Sequence, residues 1–368
     1  MTERNLAQFR FARHCKDKLE ALNSAYLDGG DAAATALATF DADRDNIEAA
    51  LRSAGEIAQA DADWNALVSE FADASMHIML VRQTPTERLT TFQHQIRASR
   101  ILADTEAEGR ALCNAALCHE ALGQRRVALQ ELQDAEELQR RCKNDRGLAI
   151  VLQNIALTLT GLGDEQSAQS KFKQALDLAR SVDDRATQAS ILANLGTSYA
   201  KTQEFDRARE CWQNALVLEQ ERQHRFGMAN ALGNLGLLAG FQGAHDKALQ
   251  LHQSALDLHT ALGHQTGIAY AHSNIAACYS SLDEMEKAEG HFAKAIEVHR
   301  FYGDLSALAV TYYNLALLRE KADDHAGAAQ SAQEALRLFE KVDDPRKDSA
   351  EALIHRLAQG RDGGAHAP

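Results

Sequence analysis

The sequence predicts an all-α solenoid, a stack of antiparallel helix pairs, and three observations carry this prediction. Six of the thirteen asparagines follow one another at intervals of 40 residues. Alanine recurs at two positions of the same 40-residue unit in all six units. No segment alternates apolar and polar residues as a half-buried strand does. A fixed period of this length is typical of repeat proteins, in which each unit stacks on its neighbours.

The two recurring residue types mark different parts of each unit. The asparagines are Asn114, Asn154, Asn194, Asn234, Asn274 and Asn314. The alanines are Ala128, Ala168, Ala208, Ala248, Ala288 and Ala328, and seven residues later Ala135, Ala175, Ala215, Ala255, Ala295 and Ala335. Small residues seven apart share one helix face, so they predict a close crossing with a neighbouring helix.

The elements are predicted in order along the chain. Residues 1–62 form an N-terminal helical segment, with helices at 3–27 and 32–60 that are separated at Gly29 and Gly30. Residues 63–102 resemble a degenerate repeat, which carries Ala74 where the later repeats carry asparagine. Six repeats span 103–342, a capping helix lies in 343–359 because an end repeat needs its apolar face covered, and 360–368 is a glycine-rich disordered tail.

Each of the six repeats is predicted to hold two helices, because apolar residues recur every three and four positions and breaks occur twice per unit. One break falls at Gly or Asp, as at Gly123 and Asp283, and the other at helix N-cap residues such as Asn144 and Asp184. The first helices are expected near 105–121, 145–161, 185–201, 225–241, 265–281 and 305–321. The second helices are expected near 125–142, 165–181, 205–222, 245–261, 285–301 and 325–341.

The pattern resembles the tetratricopeptide repeat family. It is clearest where Leu195 and Gly196 are followed by Ala208, then by the aromatic Trp212, then by Ala215. The 40-residue form is similar to the repeats of kinesin light chains and of the sensor domains of bacterial signalling ATPases and transcription regulators. The resemblance implies a right-handed superhelix whose first helices line a concave wall.

A second, shorter resemblance lies at residues 40–51, Phe-Asp-Ala-Asp-Arg-Asp-Asn-Ile-Glu-Ala-Ala-Leu. It is similar to the segment that enters the repeat domain in large bacterial signal-transducing ATPases and transcription regulators. The sequence has no G-x-x-x-x-G-K-[ST] phosphate-binding loop, so we expect no ATPase activity. The resemblance therefore implies the sensor part alone.

Charge and hydropathy restrict the classes of partner. The net charge of −13 and the lack of a basic run argue against direct nucleic-acid binding. No apolar stretch reaches 18 residues, and the first residues lack the core of a signal peptide, so we expect a cytoplasmic protein that does not contact membranes.

Cysteines and histidines predict no metal, cofactor or catalytic site. The six cysteines lack C-x-x-C spacing and are expected to be mostly buried free thiols. His252 occupies the repeat position of Phe172 and Phe292, which predicts a packed ring. His259 and His299 share another position, which we expect on a solvated face.

The resemblance places the asparagine row at the sixth position of the first helix, on the concave wall, where related arrays contact the ligand backbone. We therefore expect the six asparagines to bind a ligand together with Gln153, Asn230, Lys201, Phe241, Tyr270 and Tyr313. An asparagine amide offers two donors and one acceptor, which matches a peptide backbone. The alternative is that the asparagines only bridge adjacent helices. The set lacks the Lys and Arg cluster that would clamp a carboxylate.

The predicted function is a non-catalytic scaffold that binds a protein or an extended peptide, as a bacterial signalling sensor would. Two alternatives stay open. One is a response-regulator phosphatase that uses the N-terminal helices, although His14, Asp17 and Glu20 share what looks like an exposed face. The other is a self-assembling scaffold, since self-association through residues 1–62 or the capping helix fits the same sequence.

Overall fold

The computed structural model describes residues 3–28, 30–58 and 61–363, and these residues form seventeen α-helices and no strand. The helices are α1 Glu3–Asp28, α2 Gly30–Ile57, α3 Ala62–Arg82, α4 Pro85–Leu102, α5 Thr105–Ala121, α6 Arg125–Cys142, α7 Asp145–Gly161, α8 Glu165–Ser181, α9 Arg185–Lys201, α10 Phe205–Glu221, α11 Arg225–Phe241, α12 His245–Ala261, α13 Gln265–Ser281, α14 Met285–Tyr302, α15 Leu305–Lys321, α16 His325–Lys341 and α17 Lys347–Gly363. The all-α prediction is confirmed, and the six first helices have the predicted bounds.

The chain forms two compact units, Met1–Ser198 and Tyr199–Pro368, which are called unit 1 and unit 2 below. Unit 1 contains α1 to α8 and most of α9, and unit 2 contains α10 to α17. Within each unit the two helices of a repeat pack on each other, as α5 does on α6 and α13 on α14. Each unit is therefore a stack of antiparallel helix pairs.

A turn of two or three residues separates successive helices of the repeats, and its chemistry explains where each helix ends. The residue before the last is left-handed, either a glycine such as Gly163 (φ 85°) or a residue such as Asp283 (φ 60°). The last residue caps the first helix in most repeats. Asn144 Oδ1, for example, accepts from the backbone N–H of Gly147 at 2.9 Å.

The alanines form the contact layer between helices, as predicted from their spacing. All twelve are at most 2% exposed. Between them lie large buried side chains, including Phe172 and Phe292. His252 takes the same position and is also buried, which confirms its prediction as a packed ring. Five of the six cysteines are buried and all six are free thiols, also as predicted.

The helices at both ends pack on the repeats. In unit 1, α1 and α2 join α3 in one core that includes Leu19, Phe40 and Trp64, and the Phe9 ring meets the Trp64 ring edge-on at 5.0 Å. In unit 2, Leu353 and Leu357 of α17 cover alanines of α15 and α16. Helix α17 continues to Gly363, and residues 364–368 of the predicted disordered tail lie outside the described residues.

The expectation that His259 and His299 face solvent is wrong, because they are 6% and 1% exposed. Their repeat position lies near the end of each second helix, against the start of the next first helix. Where this position holds a bulky polar residue, a glycine usually follows eight residues later. A Cβ at Gly267 would lie 2.5 Å from His259 Nδ1, so this glycine makes room for the ring.

Asp184 is expected to stabilise unit 1 in a pH-dependent manner. It caps α9 through the N–H of Thr187, and Arg146 Nε donates to its Oδ2 at 2.6 Å. The Arg146 hydrogen bond lowers the pKa of Asp184. A lowered folded-state pKa stabilises the protein above the unfolded value of about 3.9 and loses this effect as pH falls through the folded pKa.

Asp184→Asn keeps a good cap and removes the charge, so it should lower the free energy of unfolding by about 1 kcal/mol at pH 7. The difference from the wild type should shrink as pH falls below about 4, because the carboxylate is protonated first in the unfolded chain and at lower pH in the folded protein. Urea unfolding followed by circular dichroism at pH 7 and pH 3 measures both. Asp183→Asn, at the exposed neighbouring residue, is the matched control. An equal deficit at both pH values would contradict the ion-pair explanation.

Candidate functional site

The asparagine row lies on the first helices, three residues in each unit, and all six side chains are half-buried. Unit 1 holds Asn114, Asn154 and Asn194, and unit 2 holds Asn234, Asn274 and Asn314. Neighbouring first helices touch directly, as α5 does with α7 in unit 1 and α13 with α15 in unit 2. We call these two surfaces the unit-1 and unit-2 asparagine faces.

Hydrogen bonding divides the row into two groups. Asn154 Nδ2 donates to Cys113 Sγ at 3.1 Å, and so bridges α7 to α5. Burial raises the pKa of that thiol to about 11, so Cys113 stays a neutral acceptor. Within the described part of the chain, the other five asparagine side chains have no protein hydrogen-bond partner. A purely structural role would require the bridge that only Asn154 makes.

On the unit-1 face, a polar contact joins two first helices beside the asparagines. Gln153 Nε2 donates to Ser190 Oγ at 2.8 Å, from α7 to α9. Gln153 is half-buried and Ser190 is exposed. This face therefore combines carboxamides with hydroxyl groups.

On the unit-2 side, the remaining predicted residues do not converge on one point. Phe241 is 73% exposed at the end of α11, where its ring lies 4.8 Å from that of Phe205. Asn230 is exposed near the start of the same helix, about 16 Å away at 1.5 Å per residue. Lys201 is exposed at the end of α9. Tyr313 is half-buried, and its ring packs 6.4 Å from Phe339.

Tyr270, Asn274 and Asn314 do come together, in a cavity of about 320 Å³ that we call the C-terminal polar cavity. It lies between α13 and α15 on the unit-2 asparagine face. Its other wall residues are Ser273, His299, Ser306, Ala307, Val310, Thr311 and Arg346. Three of the predicted ligand-binding residues therefore line one open cavity.

One wall of the cavity is a ring pair held by a carboxylate. The Tyr270 and His299 rings meet edge-on at 5.0 Å, and the Tyr270 hydroxyl donates to Asp304 Oδ2 at 2.9 Å. Burial and this hydrogen bond raise the pKa of Tyr270 to about 12. Burial also lowers the pKa of His299, which keeps its ring neutral near pH 7.

The hydroxyl groups of the opposite wall have fixed directions. Thr311 Oγ1 donates to the carbonyl of Ala307 at 2.8 Å, so the Ser273 hydroxyl must donate to Thr311 Oγ1, 3.1 Å away. Ser273 is thereby left with acceptor lone pairs alone. Arg346 is held by Asp344 through bonds of 2.9 and 2.6 Å.

Sequence reasoning missed His299 and Arg346. His299 belongs to a second helix, and its polar repeat position suggested a solvated face. Arg346 lies between α16 and α17, outside the repeats. The spacing of Asn274 and Asn314 gives no signal that residues from these other elements close the same cavity.

A larger cavity of about 620 Å³ lies between the second helices α14 and α16, away from every asparagine of the row. Two of its charged wall residues pair with each other, with 3.0 Å between Arg319 Nε and Glu289 Oε1. Across the residues that the structure covers, no cluster of three or more His, Cys, Asp or Glu side chains could hold a metal ion. No described helix combines the length and apolar character needed to span a bilayer.

Solved structures share this fold at low sequence identity. A STAND signal-transduction ATPase with a tetratricopeptide repeat sensor, from Pyrococcus horikoshii, matches 94% of this chain with a TM-score of 0.61 and 14% identity. This chain spans 60% of that structure. Aspartyl phosphate phosphatase F from Bacillus subtilis matches over 94% of both chains, with a TM-score of 0.55 and 14% identity. BtubC (BKLC) from P. vanneervenii matches 60% of this chain and 93% of its own, with a TM-score of 0.55 and 18% identity.

The search of curated protein sequences found no significant match. A sequence profile described as "Tetratricopeptide repeat" matches residues 108–181, 187–261 and 267–341. These three matches coincide with the repeats defined by the asparagine row. Because they cover more than half of the sequence, the chain belongs to the tetratricopeptide repeat family.

Proposed function

We propose that this protein is a non-catalytic scaffold whose asparagine faces bind an extended polypeptide by its backbone. The observation that carries the proposal is the row of half-buried carboxamides, five of which have no hydrogen-bond partner in the described part of the protein. Each carboxamide offers donors and an acceptor that match backbone C=O and N–H groups. Neighbouring helices pack about 10 Å apart, and an extended chain advances about 3.3 Å per residue. Successive repeats could therefore contact every third residue of the ligand.

The coarser part of this function follows from the family, because tetratricopeptide repeat arrays are protein-interaction scaffolds. The role of a signalling sensor is our own proposal. It is supported by the fold shared with the sensor-containing ATPase of Pyrococcus horikoshii. At 14% identity, that likeness supports the architecture and leaves the ligand to be found by experiment.

The proposal is tested by selecting a randomised peptide library on the immobilised protein. Peptides should be enriched on the wild type and lost on the triple variant Asn234→Ala, Asn274→Ala, Asn314→Ala. The three substitutions remove the hydrogen bonds that the asparagine side chains make to the peptide backbone. Asn214→Ala is the matched control, since this exposed asparagine lies on α10 outside the row. Circular dichroism confirms that each variant folds. Equal enrichment on the triple variant would show that the unit-2 asparagine face does not bind peptides.

A phosphatase is the second candidate, supported by the fold shared with aspartyl phosphate phosphatase F. The residues available on α1 argue against it. His14, Asp17 and Glu20 are exposed, and Lys16 Nζ lies 2.9 Å from Asp17 and 3.1 Å from Glu20. These surface ion pairs offer no desolvated group for acid–base chemistry. Phosphate release from an aspartyl-phosphorylated receiver domain would overturn the non-catalytic assignment.

A further inference from the structure

We propose that the C-terminal polar cavity is a specificity subsite that binds the carboxamide side chain of a glutamine or asparagine in the bound polypeptide. This inference rests on the proposed function, and it adds which ligand side chain unit 2 selects. The cavity, of about 320 Å³, has room for a side chain. The subsite adjoins Asn274 and Asn314, so a backbone held by them can place a side chain inside.

His299 is the observation that points to a ligand. The ring is 1% exposed, and neither nitrogen has a hydrogen-bond partner among the residues that the structure describes. Its nearest charged neighbour is Asp304, with 3.8 Å between His299 Nδ1 and Asp304 Oδ2, and that oxygen already accepts from Tyr270. Buried polar groups are normally paired, and an unpaired one destabilises the protein. A ligand that supplies a donor or an acceptor to the ring removes this deficit.

The charges around the cavity disfavour an ionised ligand group. A carboxylate would meet Asp304, and the one nearby guanidinium of the wall, Arg346, is already paired with Asp344. A lysine or arginine would compete with the Tyr270 hydroxyl for Asp304 Oδ2, which is already occupied as an acceptor. An apolar side chain would leave the His299 nitrogens without partners.

A carboxamide meets the remaining requirements. It carries two N–H donors and one C=O acceptor on one planar group. The Ser273 hydroxyl can only accept, since its proton is used by Thr311, while Asn274 and Asn314 offer both donors and acceptors. The neutral His299 ring offers one donor and one acceptor. Sites built from such groups reject analogues that lack the matching donor or acceptor.

His299→Phe is the test variant, because the chain itself shows that phenylalanine packs at this repeat position. Phe339 stands there in the next repeat, fully buried and edge-on to Tyr313. The substitution removes both ring nitrogens and keeps an aromatic ring. We therefore expect a folded protein at least as stable as the wild type. His252→Phe is the matched control, since that buried histidine lies outside the cavity and Phe172 and Phe292 occupy its position.

The library selection is repeated on both variants, and the selected peptides are sequenced. Wild type and His252→Phe should enrich glutamine or asparagine at one peptide position, and His299→Phe should still select peptides without that preference. A selected glutamine peptide should bind His299→Phe about tenfold more weakly than wild type. Versions of this peptide with methionine or glutamate in place of the glutamine should also bind the wild type about tenfold more weakly.

Each negative outcome has a separate meaning. Peptides selected without a glutamine or asparagine preference would overturn the subsite and leave the proposed function standing. A preference that persists on His299→Phe would overturn the role of this ring. If the wild type selects no peptides at all, the proposed function fails and the subsite fails with it.

Discussion

Trp64→Ala is expected to lower the free energy of unfolding of unit 1 by about 3–5 kcal/mol, which is typical for a buried aromatic side chain replaced by alanine. Trp64 is 1% exposed at the centre of a core built from α1, α2 and α3, where its ring meets Phe9. Removing it leaves a cavity between the N-terminal helices and the first repeat. The effect therefore measures whether residues before the repeats belong to the same folding unit.

Denaturant unfolding followed by circular dichroism gives the stability change, and amide hydrogen exchange shows whether α1 loses protection. The fluorescence of Trp212, the other tryptophan of the sequence, separately reports on unit 2. Phe11→Ala is the control on the same helix, because Phe11 is exposed and should change stability by less than about 0.5 kcal/mol. A loss below about 1 kcal/mol from Trp64→Ala, with α1 still protected, would contradict this core.

The repeats were predictable because their determinants are local and recur. A small residue is required wherever two helices cross closely, and a capping residue stands at the start of most first helices, after a short turn. Both requirements recur every 40 residues, so chance matches at one position are averaged out over the six repeats. This is why the bounds of the six first helices could be predicted to the residue, from α5 Thr105–Ala121 to α15 Leu305–Lys321.

The buried histidines were not predictable from their own repeat position, because burial there depends on a residue eight positions later. That position holds Gln139, Ala179, Glu219, His259, His299 and Phe339, a mixture that resembles an exposed site. Eight residues later there is a glycine after Gln139, Glu219 and His259 and the small Ala307 after His299, whereas Thr187 comes eight residues after the small Ala179. Comparing this position with the one eight residues later across the repeats would have indicated that the histidine rings are buried. The later residue is small only where the earlier one is bulky.

The asparagine row itself was predictable, but the division within it was not. Asn154 forms a bridge because Cys113 stands at the adjacent position of the preceding repeat. The corresponding neighbour of Asn274 is Gly233, which offers no side chain. The cavity depends on His299 and Arg346, which reach it from outside the first helices. Such convergence follows from tertiary packing, which a repeat pattern does not encode.

The difference between Asn154 and the asparagines without a protein partner leads to a second prediction with a large expected effect, on peptide binding. Asn274→Ala and Asn314→Ala should each weaken a selected peptide about tenfold, and the double variant about a hundredfold, since each removes hydrogen bonds to the ligand backbone. Neither should lower stability, because these amides have no protein partner in the described structure. Asn154→Ala should instead lower the free energy of unfolding of unit 1 by about 0.5–1 kcal/mol, through loss of the bond to Cys113.

Isothermal titration with one selected peptide, alongside urea unfolding of each variant, measures both quantities on the same samples. The separation of the effect on affinity from the effect on stability matters more than the size of either. A structural role for the row predicts the reverse pattern. In that case Asn274→Ala and Asn314→Ala would lower stability, and peptide affinity would follow the fraction of folded protein. Loss of affinity at full stability can come only from contacts that the bound polypeptide makes, which assigns these two asparagines to the ligand.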